Sequence, residues 1–565
     1  MSIFQDTVFA SIVRAVLGPT YFAHIDEMDV PPVYQKTVHF PKSSATTTTL
    51  DDPFNVHTRD HPVYNKQAAG AGDSGDLELS GELPKPVKEP IKAEGSDSLL
   101  VTWYGPDDPE NPMNWSRIRK IWVIFQMCFL TFSVYFGAAV YTAGERGVSE
   151  QFHVSSVSAT LGLTVFLLGS GTGPMLWSPM SEMPYIGRMP IYWFTLFLYV
   201  VLQVPTALAT NFGMLLAFRF ITGFVGSPVL ATGGATIADM YIPKKRVYGI
   251  TLWSAFAVCA PATAPIAGGF AAHAEGWNWT IWILMWLGSF TLAMLFFFFP
   301  ETSSSNILYR RAVRLRKATG DKRLKSQAEI DAENLSGSDI ARDVLVRPFT
   351  LNFQEPIVLL LNLYIALVYA LFYLWFESFP IVFIEIHHWR QQMLGLAFLG
   401  ILVGVFVTLP LYMTYIYLVE EKMYDENGQI KPEKRMRVAI FASILCPISL
   451  FWFGWSSRAD IHWIVPIIGS SLFPMAAMLL FNVVLNYLAD AYPKYAASVL
   501  AGNDFMRCAF AAGFPLFGSA MYHNLGVGWA STLLGFLLCA FIPIPILLHF
   551  YGERIRFASK RAQHN

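Results

Sequence analysis

Residues 279–299 have the sequence WTIWILMWLGSFTLAMLFFFF and contain no charged residue. A helix of about 20 apolar residues crosses the roughly 30 Å hydrocarbon layer of a membrane. Inside lipid the backbone has to satisfy its own hydrogen bonds, so an apolar run of this length has to be helical. The stretch therefore predicts a membrane-spanning helix, and it sets the pattern for most of the chain.

Eleven further apolar runs accompany it, and the twelve fall into two sets of six. A polar segment at 301–355, dense in Arg and Lys, separates the sets. This arrangement predicts an all-α integral membrane protein with 12 transmembrane helices in two six-helix halves. Numbered as spans 1 to 12 in chain order, the runs lie at 121–143, 157–177, 189–209, 213–238, 247–271, 279–299, 357–384, 393–419, 437–456, 462–488, 496–520 and 529–550.

The polar parts of the chain complete the domain organisation. The first half is expected at 119–300, a cytoplasmic central loop at 301–355, the second half at 356–551, and a short cytoplasmic tail at 552–565.

Residues 1–118 form a tail of a different kind. Segment 41–98 is rich in Thr, Asp, Gly, Pro and Lys and lacks apolar periodicity, which predicts that the tail is largely disordered. Apolar residues at three- and four-residue steps predict an amphipathic helix at 3–17 on the membrane surface. Chance periodicity in a partly ordered tail is the alternative.

Composition and charge narrow the function classes. The chain is 54% hydrophobic and 14% charged, whereas ordinary soluble domains carry about 25% charged residues. Its net charge of -1 gives no reason to expect nucleic acid as a partner. All five cysteines lie in apolar runs, which is typical of buried hydrophobes and not of metal ligands. The chain has no GxxxxGK[ST] phosphate loop and no His, Cys and carboxylate cluster, which disfavours an ATP-driven pump and an enzyme.

The basic residues predict the orientation. With both termini in the cytoplasm, only Arg146, Arg390 and Arg458 fall in outer loops. The inner segments then collect most of the remaining basic residues outside the spans, as the positive-inside rule requires.

The turn between spans 2 and 3 carries Ser181, Glu182, Gly187 and Arg188. A carboxylate and an arginine in such a turn can pair with each other or with neighbouring helix ends, and the pair can hold one of two conformations. Asp239 ends span 4 on the same side and is either part of this switch or merely interfacial. A solvated loop that obeys the positive-inside rule explains the turn equally well.

Two charged residues lie within spans. Arg219 in span 4 costs on the order of 3 kcal/mol near mid-membrane, which predicts a polar cavity or a partner. It would set the proton affinity of a nearby group or bind substrate, unless it snorkels to the outer face. Glu377 in span 7 lies among aromatic residues and suits a proton or a hydrophobic cation. An outer-interface glutamate beside a kink is the alternative.

Span 5 is rich in proline and small residues. Two prolines four residues apart predict a kink, and the small residues permit close approach of another helix. The motif comprises Pro261, Ala264, Pro265, Gly268 and Gly269.

In the second half, Asp504 and Arg507 are three residues apart in span 11 and are expected to pair on one helix face. A structural or gating role is favoured over a substrate site for this pair and the neighbouring Asn503. Asn482 and Asn486 share a face of span 10, where contacts between helices are favoured over a place in a cavity.

These motifs resemble those of the drug:proton antiporter-1 family, a fungal twelve-span branch of the major facilitator superfamily. The resemblance covers roughly residues 100–555. It rests on the stretch DPENPMNW at 108–115, the loop at 173–188, the arginine motif at 219–226, the antiporter motif at 260–269 and the sequence Pro300-Glu301-Thr302. The chain departs from the family pattern at Glu182, where Asp is frequent, and at Ala260 and Ala264, where Gly is usual.

The resemblance implies a proton-coupled multidrug efflux transporter that exports hydrophobic or cationic xenobiotics, including azole- and benomyl-type antifungals, by alternating access. It implies proton coupling through Arg219 and Glu377, a monomer in the plasma membrane in preference to the vacuolar membrane, and no cofactor or metal beyond the proton gradient. A dedicated exporter of an endogenous metabolite or toxin is the alternative, followed by a membrane sensor that does not transport.

Overall fold

A computed structural model describes residues 6–18, 21–28, 91–92, 99–333, 346–426, 430–559 and 561–562. Eleven continuous helical stretches in this part are long and apolar enough to cross a membrane. Ten of them contain one span each. Spans 1 to 10 lie at Arg117–Ala139, Ser156–Glu182, Arg188–Ala207, Phe212–Met240, Pro243–Glu275, Asn278–Phe298, Pro356–Phe379, Leu399–Leu418, Met436–Ser456 and Ile464–Ala491.

The eleventh stretch, Ser498–Ala558, contains two spans. Its 61 residues would form a rod of about 90 Å, three times the thickness of the hydrocarbon layer. Gly526 interrupts it with φ 74° and ψ 154°, a conformation that only glycine adopts without strain. Span 11 therefore covers 496–525 and span 12 covers 527–558.

Contacts on both sides of Gly526 confirm that the chain reverses there. Asn503 Nδ2 in span 11 donates to Asn362 Oδ1 at 2.7 Å, near the start of span 7. Phe541 in span 12 packs on Tyr364, also near the start of span 7, with ring centroids 5.7 Å apart. The fold is thus all-α with twelve spans, as the sequence predicts. An even number of spans places the entry to span 1 and the exit of span 12 on one side, the terminal face; the opposite side is the distal face.

Short elements join the spans. Near the distal face, span 1 continues through a 3-10 turn into the helix Glu145–Phe152, and span 7 continues as a π-helix. Beyond Gly226, span 4 resumes as the helix Pro228–Met240, and span 12 ends in the helix Pro543–Ala558. The 3-10 turn after span 1 is Val140–Gly144, and the π-helix after span 7 is Pro380–Ile386. The other short elements are Pro112–Asn114, Gln391–Met393, Leu394–Ala397, Glu420–Met423, Pro432–Arg435 and Pro493–Tyr495.

The tail and the central loop meet at the terminal face. Strand β1 (Ile91–Lys92) pairs antiparallel with β2 (Leu99–Val101), and β2 pairs parallel with β3 (Leu324–Ser326) of the central loop. The loop also forms the helices Ser304–Thr319, Gln327–Glu333 and Arg347–Gln354. Disorder was expected at 41–98, whereas Ile91–Lys92 are in a strand; the other residues of that segment lie outside the described part.

The N-terminal helix runs from Val8 to Leu17, with the short helix Ile25–Met28 after it. The ring of Phe9 packs on Phe297 of span 6 at 5.4 Å, while Val16 and Leu17 are exposed. An apolar side on the end of a span is the placement that an interfacial amphipathic helix requires. Residues 3–5 of the predicted helix lie outside the described part.

Candidate functional site

A cavity of about 170 Å³ lies between the two halves, toward the terminal face. Spans 2, 4 and 5 wall it from the first half, and spans 10 and 11 from the second. One wall consists of small apolar residues of span 4, and the other carries polar side chains. The residues that line the cavity include Ser178, Glu182, Ala231, Gly234, Ala235, Ala238, Arg246, Trp253, Asn486, Asn503, Asp504 and Arg507.

The two halves touch directly on the distal side of this cavity. Thr164 Oγ1 of span 2 donates to the carbonyl oxygen of Ala512 in span 11 at 2.8 Å. One to two turns closer to the cavity, a Cβ placed on Gly171 would lie 2.7 Å from Cys508 Cβ. Spans 2 and 11 therefore close the path from the cavity toward the distal face.

Asp504 and Arg507 form the buried ion pair that their spacing predicts. Arg507 Nη2 also donates to the hydroxyl of Tyr135 in span 1 at 3.1 Å, and its guanidinium lies 4.9 Å from the ring centre of Tyr369. The sequence favoured a structural or gating role for this pair. The structure places both side chains in the cavity wall, where they also bridge the halves through Tyr135.

The asparagines of span 10 divide between two positions. Asn482 bonds to span 5, accepting from Thr251 Oγ1 at 3.2 Å and donating to Ser254 Oγ at 2.6 Å. It holds two helices together, which is the role the sequence favoured. Asn486 donates to the carbonyl oxygen of Asn482 at 2.7 Å and, unlike Asn482, lines the cavity. Asn503 lines it as well.

Arg219 is fully buried inside the first half and does not snorkel to the surface. Its Nε donates to the carbonyl oxygen of Gly162 at 3.1 Å, and its Nη1 to that of Gly137 at 2.9 Å. Its guanidinium also faces the rings of Tyr141 at 4.7 Å and Phe166 at 4.4 Å. The cation is therefore held by main-chain carbonyls of spans 1 and 2 and by two aromatic faces.

Glu377 lies near the distal end of span 7, beside span 11. It is half-buried, and a Cβ on Gly518 of span 11 would lie 3.2 Å from its Cγ. A second glutamate, Glu145, interacts electrostatically with both Glu377 and Arg219. Glu145 Oε2 accepts from Thr160 Oγ1 at 3.2 Å, and its Oε1 is buried without a hydrogen-bond partner in the described part of the chain.

Sequence reasoning missed Glu145. It follows the predicted end of span 1 and precedes Arg146, so it resembles an ordinary loop residue. The helix Glu145–Phe152 turns it back against span 2. A local pattern carries no signal for this fold-back.

The turn between spans 2 and 3 is organised by Arg188. Its Nε donates to Asp239 Oδ2 at 2.7 Å, so the helix end is its partner and not Glu182. Glu182 is exposed and contributes to the cavity wall. Ser181 Oγ donates to the carbonyl oxygen of Ser178 in its own helix at 2.7 Å. The contact between Arg188 and Asp239 thus ties the start of span 3 to the end of span 4.

Glu301 completes this contact. Its carboxylate accepts the backbone N–H groups of Arg188 at 3.1 Å and Met189 at 3.2 Å, where the N-terminus of span 3 carries unpaired donors. Gly187 has φ +83°, and a Cβ there would lie 2.5 Å from Glu301 Oε2. Glycine is therefore required both for the backbone and for the space. We call Gly187, Arg188, Asp239 and Glu301 the span 3 clasp.

The second half has a matching contact that the sequence did not predict. Arg435, just before span 9, pairs with Glu420 and with Asp490 at the end of span 10. Asp490 also accepts from Arg246 of span 5 at 3.1 Å, and Lys245 reaches Glu421 at 2.6 Å. These two pairs join the halves at the terminal face.

The span 5 motif lies against the 3-10 turn that follows span 1 and the short helix that precedes span 8. The helix continues through Pro261 and Pro265, and Ala264 is fully buried. A Cβ on Gly268 would lie 3.0 Å from the carbonyl oxygen of Val140, whereas Gly269 has only Gln392 O within 4 Å, at 3.8 Å. Across the halves, a Cβ on Gly395 would lie 2.6 Å from the carbonyl oxygen of Pro265. The small residues therefore permit the close helix contacts that the sequence predicts.

One group in the described part has the ligand types for a metal ion: His24, Asp26 and Glu110. Arginines already occupy its carboxylates. Arg314 donates to Asp26 at 2.9 Å and to Glu110 at 3.0 Å, and Arg311 donates to Glu110 at 2.7 Å. The geometry is that of a salt-bridge network between the tail and the central loop.

Residues 127–515 match the model of the Major Facilitator Superfamily. The chain belongs to this superfamily. This facilitator is 45% identical over 478 residues to Transporter mfs1 of Schizosaccharomyces pombe, covering 84% of this chain and 90% of the relative. It is 43% identical over 471 residues to Fluconazole resistance protein 1 of Saccharomyces cerevisiae, covering 82% and 85%.

A solved structure supports the facilitator fold. The proton:xylose symporter XylE superposes with a TM-score of 0.56, covering 77% of this chain and 96% of that one, at 15% identity. At that identity the likeness concerns the fold alone. Family membership and the apolar spans identify the facilitator as a multi-pass membrane protein.

Proposed function

We propose that this facilitator is a proton-coupled multidrug efflux transporter of the plasma membrane, acting as a monomer with both termini in the cytoplasm. It exports hydrophobic xenobiotics, azole- and benomyl-type antifungals among them, in exchange for protons and without a cofactor. The observation that carries the proposal is the cavity between the halves, which lies toward the terminal face and is closed off distally by the contacts between spans 2 and 11. The similarity to a fluconazole resistance protein supports the substrate class.

Glu145 and Glu377 hold the transported proton. They interact with each other across the halves, and Arg219 interacts with Glu145. Two carboxylates that repel in a low-dielectric site share a proton more readily than they ionise together. Opening the distal side admits protons to this pair, and opening the terminal side releases them. Arg219 sets the proton affinity of this pair because its positive charge is fixed inside the first half.

A series of buried side chains leads from these acids to the cavity. Arg219 interacts electrostatically with Tyr373, whose hydroxyl lies 3.3 Å from that of Tyr369. Tyr369 in turn faces Arg507 in the cavity wall at 4.9 Å. A ligand that displaces Arg507 therefore changes the field at the acids, which is a physical basis for coupled exchange.

The test is transport in proteoliposomes with an imposed pH gradient. Fluconazole accumulation driven by the gradient should disappear with a protonophore and in Glu377→Gln and Glu145→Gln, while gradient-free drug exchange should persist. Glu385→Gln is the matched control, because Glu385 is a distal glutamate that is 55% exposed. Accumulation that ignores the protonophore would refute the coupling, and the absence of any drug movement would refute drug efflux.

Export of an endogenous metabolite or toxin would use the same acids. A susceptibility panel in a strain that lacks other exporters separates the two functions. A xenobiotic exporter raises resistance to several unrelated drugs when it is expressed. Resistance to none of them, together with loss of one secreted compound on deletion, would favour the metabolite exporter.

A further inference from the structure

Two oxygen atoms in the cavity wall lack a hydrogen-bond donor in the described part of the chain. They are Oδ1 of Asn486 and Oδ2 of Asp504, and both residues are 2% exposed. Buried acceptors without a donor are unfavourable, so a native site that keeps them is suited to a ligand that supplies the donors.

Neighbouring contacts fix both acceptors in place. Asn486 Nδ2 donates to the carbonyl oxygen of Asn482, so rotating the amide by 180° would set two oxygens against each other. Arg507 holds the other oxygen of Asp504 and also bonds to Tyr135. Arg507 Nε has no acceptor among the described residues either. The cavity thus presents two acceptors and one donor at fixed positions.

The charged groups of the cavity wall balance. Glu182 and Asp504 are negative, and Arg246 and Arg507 are positive. A net cation therefore gains little Coulomb energy there, which differs from the hydrophobic cation that Glu377 suggested in the sequence. A neutral polar group that both donates and accepts matches the wall better.

The span 4 side of the cavity is apolar. Gly234 of span 4 has open space beyond it, since a Cβ there would meet no atom of the described residues within 4 Å. The indole of Trp253 packs on Gly233 and is held by a 2.6 Å hydrogen bond to Thr131. Gly234 and Trp253 both line the cavity, and this apolar side suits an aromatic ring. At about 170 Å³ the cavity is smaller than the roughly 300–1,000 Å³ of drug-sized pockets, so it holds the head group and the adjoining ring of a larger molecule.

We propose that this cavity is a subsite for neutral molecules with a planar apolar body and a carboxamide-type head, such as an amide, carbamate or urea. The head's N–H groups donate to Asn486 Oδ1 and Asp504 Oδ2, and its carbonyl oxygen accepts from Arg507 Nε. The ring lies against Gly234 and Trp253. The proposal rests on the proposed export function and names its substrate class.

The test is calorimetric binding to the purified full-length protein in detergent, without a gradient. The probes are biphenyl-4-carboxamide, its N,N-dimethyl derivative and the trimethyl(biphenyl-4-yl)ammonium ion. The primary amide should bind about tenfold more tightly than either analogue, as expected for two lost hydrogen bonds. Asn486→Leu should remove most of that preference. Gly234→Leu should abolish binding of all three probes.

Gly513→Leu is the matched control for the steric variant. Gly513 is exposed on span 11, also has open space beyond it, and lies outside the cavity, so binding should be unchanged. Equal affinity for the amide and its dimethyl derivative, tighter binding of the ammonium ion, no binding of any probe, or normal binding by Gly234→Leu would overturn the proposal. Because no gradient is used, failure of proton coupling would leave the binding result intact.

Discussion

Arg246 at the start of span 5 donates to Asp490 at the end of span 10 over 3.1 Å, so one ion pair joins the two halves beside the cavity. Asp490 is shared with Arg435, which anchors it in the second half. Closure of the terminal face therefore depends on a carboxylate that is already positioned. Opening that face requires Arg246 to leave, while the Arg435 contact can persist.

Removing this pair should favour the terminal-open conformation. Arg246→Gln should raise the labelling rate of a cysteine introduced at Ala235, in the cavity wall, by about threefold to fivefold with a charged maleimide. A partly exposed pair contributes about 1 kcal/mol, which corresponds to that change in population. Lys431→Gln breaks an exposed pair with Glu553 inside the second half and should have no effect. Unchanged labelling in Arg246→Gln would mean that the pair does not hold the terminal face closed.

Arg219 should be essential for transport and not for membrane insertion. Arg219→Ala leaves the carbonyl oxygens of Gly137 and Gly162 without donors, which costs about 1–3 kcal/mol. We expect at least a tenfold loss of drug efflux with normal surface abundance, and partial recovery with Arg219→Lys. Efflux and surface biotinylation measure the two quantities. Full resistance in a correctly placed Arg219→Ala variant would contradict transport through this residue and would favour a sensor.

Gly187→Ala should weaken the span 3 clasp for two reasons, the left-handed backbone and the contact with Glu301. Gly276→Ala isolates the effect of the backbone from that of crowding, since Gly276 has φ +92° but no described atom within 4 Å of its Cβ position. Strain alone costs about 1–2 kcal/mol. Gly276→Ala should therefore lower the Tm modestly, and Gly187→Ala should lower it further and reduce transport. Equal effects of the two substitutions would show that crowding at Glu301 is unimportant.

Glu110 should stabilise the contact between the tail and the central loop in a pH-dependent way. Burial alone would raise its pKa, but the hydrogen bond from His24 and the guanidinium groups of Arg314 and Arg311 lower it from 4.5 to about 2. A depressed folded-state pKa gives stability that is present above about 4.5 and is lost as the pH falls toward 2. At neutral pH, Glu110→Gln should weaken this contact by about 3 kcal/mol.

Amide hydrogen exchange in residues 6–28 and 304–319 is the measurement. Exchange should be faster in Glu110→Gln than in the wild type at pH 7, and the difference should shrink between pH 5 and pH 3. Glu553→Gln, at an exposed pair, serves as the control. A difference that stays constant with pH would contradict the carboxylate's role.

The spans could be predicted from the sequence because each is a local apolar run. The two halves also follow from the run count. The pairing of Arg188 with Asp239 was one of two open choices, because the turn alone does not show which carboxylate the fold brings near. Glu145 and the contact between Arg246 and Asp490 depend on residues from distant spans, and no local pattern encodes them. The Asp504–Arg507 pair was predicted from spacing, but its place in the cavity depends on how two halves pack.

Gly526 illustrates the opposite case. The sequence is compatible with a helix on both sides of Gly526, and the chain reverses at this one residue, which has a positive φ. The apolar run count separates spans 11 and 12, and the backbone of Gly526 divides the helices between the two predicted runs. The contacts of Asn503 and Phe541 with the same end of span 7 confirm the reversal.

The salt-bridge network of Asp108 and Glu110 with Arg311 also constrains the order in which the protein is made. The two carboxylates are translated about 200 residues before their arginine. The tail therefore cannot form these salt bridges until all six spans of the first half have been synthesised. Docking of the tail therefore requires that the first half has been synthesised.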